Sequence, residues 1–220
     1  MSELGEVYTK ASYFASRLPF DPAREGLWRV VCEYLQPEIP ESGDVLELGG
    51  GYCHFINNIR ARRRHVVDLF PEIVSHAAQD VNVHVGSCTA LHAFESSSID
   101  TVFASNLFEH LTREQLLETL TGVKRILKDG GKLLMIQPNF KYSYRTYFDD
   151  YTHIQIFTET SLGDLLKAEG FELVKVVPRF LPFSIKTVGP KRPWLLRAYL
   201  ALPWRPFAGQ MYIVARKRRS

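Results

Sequence analysis

No stretch of the sequence approaches the roughly 18 consecutive apolar residues that a bilayer-spanning helix needs, and the N-terminus lacks the basic start and apolar core of a secretory leader. A cytoplasmic protein is the expectation. An excess of one charge is also missing: 27 Lys and Arg against 24 Asp and Glu leave a net +3, too little to imply a polyanionic partner. Basic residues do cluster, at Arg60, Arg62, Arg63 and Arg64 and again at Arg216, Lys217, Arg218 and Arg219. No nucleic-acid-binding motif accompanies them, so they read as a solvated helix end and a tail, and no nucleic-acid partner is expected. The three cysteines, Cys32, Cys53 and Cys88, are odd in number and lack paired spacing, which excludes a disulfide framework and suits a reducing compartment. Internal repeats and low-complexity segments are absent as well.

What is present is an ordinary globular composition, 45% hydrophobic and 23% charged over 220 residues, enough for one large α/β domain. No point in the chain invites division. Residues 1–43 read as an irregular arm followed by a helix from about Pro22 to Leu35, with Leu27, Val30, Val31 and Tyr34 at helical spacing. Strands and helices then alternate. Strands are expected at Val45–Leu48, Arg64–Asp68, Val81–Val85, Ile99–Ala104, Lys132–Ile136, Phe171–Val177 and Met211–Ala215. Helices are expected at Tyr52–Ile59, Pro71–Ala78, Thr112–Leu127 and Ser161–Lys167, the third opened by a capping box of Thr112 and Gln115. Such alternation implies right-handed crossovers and a mostly parallel sheet with helices on both faces.

Ligands of open α/β sheets bind beyond the carboxyl ends of the strands. There the sequence places Gly49, Gly50 and Gly51. A dinucleotide fingerprint would put a third spaced glycine at His54, so a nicotinamide cofactor is disfavoured. Read with its neighbours, "ELGGGYC", Glu47 to Cys53, resembles the first motif of the class I S-adenosylmethionine-dependent methyltransferases. Asp68 follows Gly49 by nineteen residues, at the end of the second strand, where a carboxylate can accept ribose hydroxyls. "VHVGSCTAL", "SIDTVFASNLFEHL" and "VKRILKDGGKLLMIQPN" resemble the later segments of the same family, in order, so the likeness spans about residues 44–138. The resemblance implies a Rossmann-like seven-stranded sheet, six strands parallel and the last antiparallel, and S-adenosylmethionine as cofactor. It assigns Glu47, Gly49, Gly51, Asp68, Leu69, Ser87, Cys88, Asn106 and Leu107 to cofactor binding.

Residues 139–160, "NFKYSYRTYFDDYTHIQIFTET", are too polar and aromatic for a plain crossover. They look like the acceptor-side insertion of a bacterial subgroup linked to surface-polysaccharide and glycolipid biosynthesis. A neutral sugar hydroxyl is a poor nucleophile and needs a base. His110, Asp149 and His153 are the catalytic candidates, with Asp149 and His153 four apart and able to pair if the segment is helical. Tyr142, Tyr144, Tyr147 and Asp150 are candidates for holding the acceptor. Asp149, Asp150 and His153 could also offer ligands to a divalent ion, but they suit Mg or Mn poorly, and no metal is expected. Residues 181–208 form a long excursion before the last strand. Its apolar, tryptophan-flanked segment 190–205 could pack on the domain, form a homodimer contact or lie on a membrane surface. The function expected is O-methylation of a sugar or glycolipid hydroxyl. Carbon or nitrogen methylation of another small molecule, and a non-catalytic cofactor-binding module, remain open alternatives.

Overall fold

The computed structural model describes residues 19–182 and 191–218; most of the N-terminal arm and the start of the late excursion lie outside them. One sheet of seven strands organises the chain, in the order β3-β2-β1-β4-β5-β7-β6. The strands are β1 (Asp44–Leu48), β2 (Arg63–Asp68), β3 (Val81–Val85), β4 (Ile99–Ser105), β5 (Leu127–Pro138), β6 (Phe171–Pro182) and β7 (Ala208–Lys217). β7 runs antiparallel to both of its neighbours, β5 and β6, and the remaining pairs are parallel. The expected architecture is therefore the one observed. The order reverses between β1 and β4, which makes the carboxyl ends of these two strands the natural ligand crevice.

Alternation along the central strands builds two cores. Leu46 and Leu48, Val102 and Ala104, and Leu133 and Met135 face helices α2 (Arg113–Ile126) and α4 (Glu159–Ala168), the single-turn α3 (Phe140–Ser143) lying between these two in the chain. Val45, Phe103, Leu134, Ile136, Tyr212 and Val214 face the opposite side, under α1 (Ala23–Leu35) and α5 (Pro193–Ala201). This is the period-two pattern of a sheet covered on both faces. The capping box of α2 forms as expected, with the Gln115 amide N–H donating to the Thr112 hydroxyl at 3.3 Å and the Thr112 N–H to the Gln115 side chain at 2.9 Å. Within the late excursion, Leu196, Tyr199 and Leu200 of α5 join the α1-side core, and Arg197 forms a fork with Glu33 of α1 at 2.7 and 2.9 Å. Among the described residues no helix is long and apolar enough to cross a membrane. The basic cluster is taken up by carboxylates: Arg60 pairs with Glu41, Arg62 and Arg63 with Asp44, and Arg64 with Asp80.

Three expectations need correction. The segment Tyr52–Ile59 is a run of turns rather than a helix. Cys53 has φ +58°, and the Ile56 N–H donates to the Glu47 carboxylate at 3.1 Å instead of to a preceding carbonyl. Proline opens only a five-residue 3₁₀ turn at Pro71–Ser75 in place of the helix over Pro71–Ala78. The fifth strand begins at Leu127 rather than Lys132, and Asp129 and the glycines after it bulge within it, the register jumping from Ile99 opposite Leu127 to Thr101 opposite Lys132.

Candidate active site

The turn after β1 leaves no room for side chains, and the protein itself occupies much of that space. A Cβ on Gly50 would lie 2.4 Å from Val66 Cγ2 and 2.8 Å from Ile73 Cδ1. Gly49 (φ +69°) and Gly51 (φ +53°) adopt left-handed backbone, and Leu107 from the β4 exit closes over Gly49. Asp68 ends β2 and ties this turn to its own strand. One carboxylate oxygen accepts the Gly51 N–H and the other the Phe70 N–H, both at 2.9 Å. Burial pushes its carboxyl above the usual range, and these backbone donors oppose the shift. The Leu69 N–H also faces this carboxylate, and the lone-pair directions that remain are open to a ligand hydroxyl.

The other expected cofactor residues separate into two groups. Leu69 is exposed at the end of β2, beside an equally exposed Val85 at the end of β3. Asn106 is exposed on the β4 exit with φ +48°; its carbonyl oxygen accepts from Gln210 at 2.6 Å. Ser87 is half-buried and bonds within its own turn, to Thr89. Two residues turn inward. Glu47 is buried, its carboxyl raised chiefly by that burial, and it braces the following turn through Ile56. The Cys88 side chain lies in the α2-side core, its sulfur 3.6 Å from the Thr119 hydroxyl, so only its backbone is available to a ligand.

A second constellation stands just beyond Leu107. The 3₁₀ turn Phe108–His110 buries Glu109 and His110 completely or nearly so. The Glu109 carbonyl accepts two N–H groups from the insertion, those of Ile154 at 2.9 Å and Gln155 at 3.0 Å, which fixes His153 against it. The rings of His110 and His153 are 4.9 Å apart. His153 Nδ1 lies 2.7 Å from the Tyr147 carbonyl, an acceptor only, so Nδ1 carries a proton. His110 Nδ1 lies 3.2 Å from the Thr152 carbonyl and 3.0 Å from the Thr152 hydroxyl, whose own proton goes to Asp150 at 2.6 Å. It too is the Nδ1–H form. Burial, then the facing His153, holds His110 well below the usual histidine range. Burial also raises Glu109, to about 8, and neither of its oxygens receives a hydrogen bond.

The expected pairing of Asp149 with His153 depended on a helix that is absent. Tyr147–Asp149 is a single 3₁₀ turn, the chain is extended at Asp150, and Asp149 points to solvent. Asp150 takes its place beside the histidines. Burial works against its charge, but the Thr152 hydroxyl and N–H and both imidazoles outweigh that, and its carboxyl is held below the usual value. Tyr147 is wholly buried, donates its hydroxyl to the Gln155 carbonyl and backs the His153 ring at 4.6 Å; it is a wall of the cluster rather than an open contact. Tyr144 is exposed beside Arg145. Tyr142 lines a surface groove in which the Arg179 guanidinium lies between the Tyr142 and Trp204 rings, at 4.9 and 5.0 Å. Two residues were missed from sequence. Trp204 was seen only as a flank of the excursion, and Glu109 only as the neighbour of His110. A Glu-His dipeptide closing a buried strand was the available signal.

The family described as "Methyltransferase domain" matches residues 20–176. No curated protein matches the chain. Among solved structures, a SAM-dependent methyltransferase from Archaeoglobus fulgidus is similar at 22% identity and TM-score 0.63, covering 86% of this chain and 94% of that one. The N-methyltransferase NodS of Bradyrhizobium japonicum, in complex with S-adenosylhomocysteine, gives 15% identity, TM-score 0.64 and coverage of 93% and 92%. A Burkholderia thailandensis 1,6-didemethyltoxoflavin-N1-methyltransferase gives 16%, 0.65, 98% and 88%. At these identities the likeness to the solved structures is one of fold.

Proposed function

The chain belongs to the class I S-adenosylmethionine-dependent methyltransferases, and from that premise we propose that it methylates a hydroxyl of a sugar-containing acceptor. In this reading the turn at Gly49–Gly51 lies against the methionine end of the donor. Asp68 accepts the ribose hydroxyls. Leu69 and Val85 flank the adenine, and Ser87 meets its edge. Asn106 and Leu107 border the sulfonium.

Transfer is an in-line displacement. An acceptor lone pair forms the bond to the methyl carbon, and the carbon–sulfur bond pair returns to sulfur, leaving S-adenosylhomocysteine. The donor is already activated, so alignment alone can supply up to roughly 7–11 kcal/mol. What remains is the acceptor's proton. A neutral amine attacks without losing one first; a neutral hydroxyl does not attack usefully until its O–H bond weakens, and base assistance contributes about 10²–10⁴-fold. The observation that carries the hydroxyl reading is the buried group of Glu109 and His110, just past Leu107 on the same loop, with His153 from the insertion. The two imidazoles face each other beside the Glu109 and Asp150 carboxyls, groups of the kind that can draw off a proton. Tyr142 and Trp204, flat rings beside Arg179, supply a surface on which a sugar can stack. A lipid-carried sugar would bring the neighbouring 190–205 segment, where Trp194 and Trp204 are exposed, to a membrane face.

The test is transfer of a labelled methyl group to panels of glycans and glycolipids, amines and carbon nucleophiles. A base-stable methyl ether is the expected product, and His153→Ala should depress its formation while S-adenosylhomocysteine binds as before. Label found only in amines or on carbon would overturn the hydroxyl reading.

A further inference from the structure

We propose that the groove of Tyr142, Arg179, Trp204 and Arg205 binds a phosphate group carried by the acceptor. This narrows the acceptor to a phosphorylated sugar and rests on the sugar-hydroxyl reading above. The groove has a volume of about 240 Å³, less than the roughly 300–1,000 Å³ of a pocket that encloses a whole ligand. It suits one terminal group of a larger molecule.

The charges make the argument. Other arginines of the domain are answered by carboxylates: Arg62 and Arg63 by Asp44, Arg64 by Asp80, Arg197 by Glu33 and Arg216 by Glu172. Arg179 and Arg205 have no such pair among the described residues. Arg179 makes no hydrogen bond among them either; its contacts are the Tyr142 and Trp204 rings, at 4.9 and 5.0 Å. Contact with ring faces leaves the N–H donors of a guanidinium unused. Its Nε is buried, so the terminal nitrogens are the ones turned to the groove. Arg205 is held from behind. Its guanidinium lies 5.5 Å from both the Tyr34 and Phe180 rings, and one terminal nitrogen donates to the Leu200 carbonyl at 2.7 Å. Glu159, tied to the same wall through Asn139 and the Pro178 carbonyl, is already taken by Lys141 at 2.6 Å. Two fixed cations therefore line one groove without an acid to balance them. The rings account for a stacked sugar but not for this charge. A guanidinium fork matches phosphate oxygens in pairs, and a phosphate monoester carries about −1.5 to −2 at neutral pH, the charge that two arginines balance.

The groove adjoins the reacting group without belonging to it. Tyr142 stands on α3, whose Phe140 ring meets Tyr147 at 5.2 Å, and Tyr147 backs His153 at 4.6 Å. On the other side the Asn139 N–H donates to the Gly209 carbonyl at 2.8 Å, and the next residue, Gln210, reaches Asn106 at 2.6 Å. A phosphate held here anchors the acceptor at a distance from the hydroxyl that reacts. Binding energy gained there aligns that hydroxyl.

The full chain, loaded with S-adenosylhomocysteine, is titrated calorimetrically with hexose 1-phosphates and 6-phosphates, with glucuronate and with glucose, at low and high salt. Hexose phosphates should bind, more tightly than glucuronate and far more tightly than glucose, and salt should weaken them. Arg179→Gln should lower their affinity by about 10- to 100-fold, as expected for lost hydrogen bonds to a charged group, and leave S-adenosylhomocysteine affinity unchanged. If Arg179→Gln does not melt cooperatively, the salt dependence and the preference over glucose decide on the parent chain. Hexose phosphates that bind no better than glucose, or equally well to Arg179→Gln, overturn the site. Glucuronate bound as tightly as the phosphates overturns the choice of phosphate. Arg179-dependent binding to phosphatidylglycerol vesicles, without binding of hexose phosphates, overturns the sugar as its carrier. If hexose phosphates bind through Arg179 but the methyl group goes only to amines or carbon, the hydroxyl reading fails and the phosphate site stands. If neutral glycans are methylated and hexose phosphates do not bind, the phosphate site fails and the hydroxyl reading stands.

Discussion

Replacing Asp68 separates what holds the glycine turn together from what would hold the donor. Asp68 already accepts the Gly51 and Phe70 N–H groups at 2.9 Å, one on each oxygen, and faces a third backbone N–H, that of Leu69. Hydrogen bonds to a charged group are worth about 1.5–3 kcal/mol each, and ordering and competing water reduce the net. Loss of the ribose contacts should therefore weaken S-adenosylhomocysteine by about 1–3 kcal/mol, roughly 5- to 150-fold in dissociation constant. Asp68→Ala also strands the Gly51 and Phe70 N–H groups, so its melting temperature should fall as well. Asp68→Asn keeps one acceptor and serves as the cleaner probe of affinity. The pH dependence has a defined sign. The folded-state pKa of Asp68 is raised, chiefly by burial. The protonated side chain therefore favours the fold below the unfolded pKa, and that contribution is lost as pH rises through the folded one. Donor binding runs the other way, because ribose hydroxyls need an ionised acceptor. Calorimetric affinity should decline on acidification from neutral pH before the ordinary aspartate range is reached, and Asp68→Asn should lack that decline. An Asp68→Asn protein that melts normally and binds S-adenosylhomocysteine within twofold of the parent at pH 7 would refute the role given to this carboxylate.

Gly50→Ala should destabilise the protein by about 1–3 kcal/mol in chemical denaturation, an overpacking cost, because the new methyl would stand 2.4 Å from Val66; an unchanged midpoint would mean that the turn yields freely. Trp204→Ala removes one face of the Arg179 sandwich. It should raise the acceptor KM several-fold, in line with a stacking contribution of about 0.5–1.5 kcal/mol, and leave the donor KM unchanged. Equal effects on both substrates would remove the groove from the acceptor site.

Much of the scaffold was legible because its residues answer to local rules. Val45, Leu46 and Leu48 follow one another in a run that only a strand covered on both faces can bury, and all three are buried. Thr112 and Gln115 satisfy each other whatever surrounds them. The misreadings involve side chains whose partners are remote in sequence. The helical spacing of Tyr52–Ile59 was overridden by Glu47, nine residues before Ile56, which captured an amide a helix would have needed. Asp149 looked like the partner of His153 because a regular period was assumed; the 3₁₀ turn at Tyr147–Asp149 presents Asp150 instead. Glu109 gains its place from Ile154 and Gln155, more than forty positions away, and no pattern around "FEHL" carries that information.

The double hydrogen bond from Ile154 and Gln155 to one carbonyl couples two properties that protein engineers usually treat as modular. Exchanging residues 139–160 for a relative's loop, in order to redirect which molecule is alkylated, would also re-aim Glu109 and carry off one of its two imidazole companions. Selectivity and chemical competence share a single hinge point here, so a chimera must be grafted with its anchoring dipeptide intact or it will lose both together.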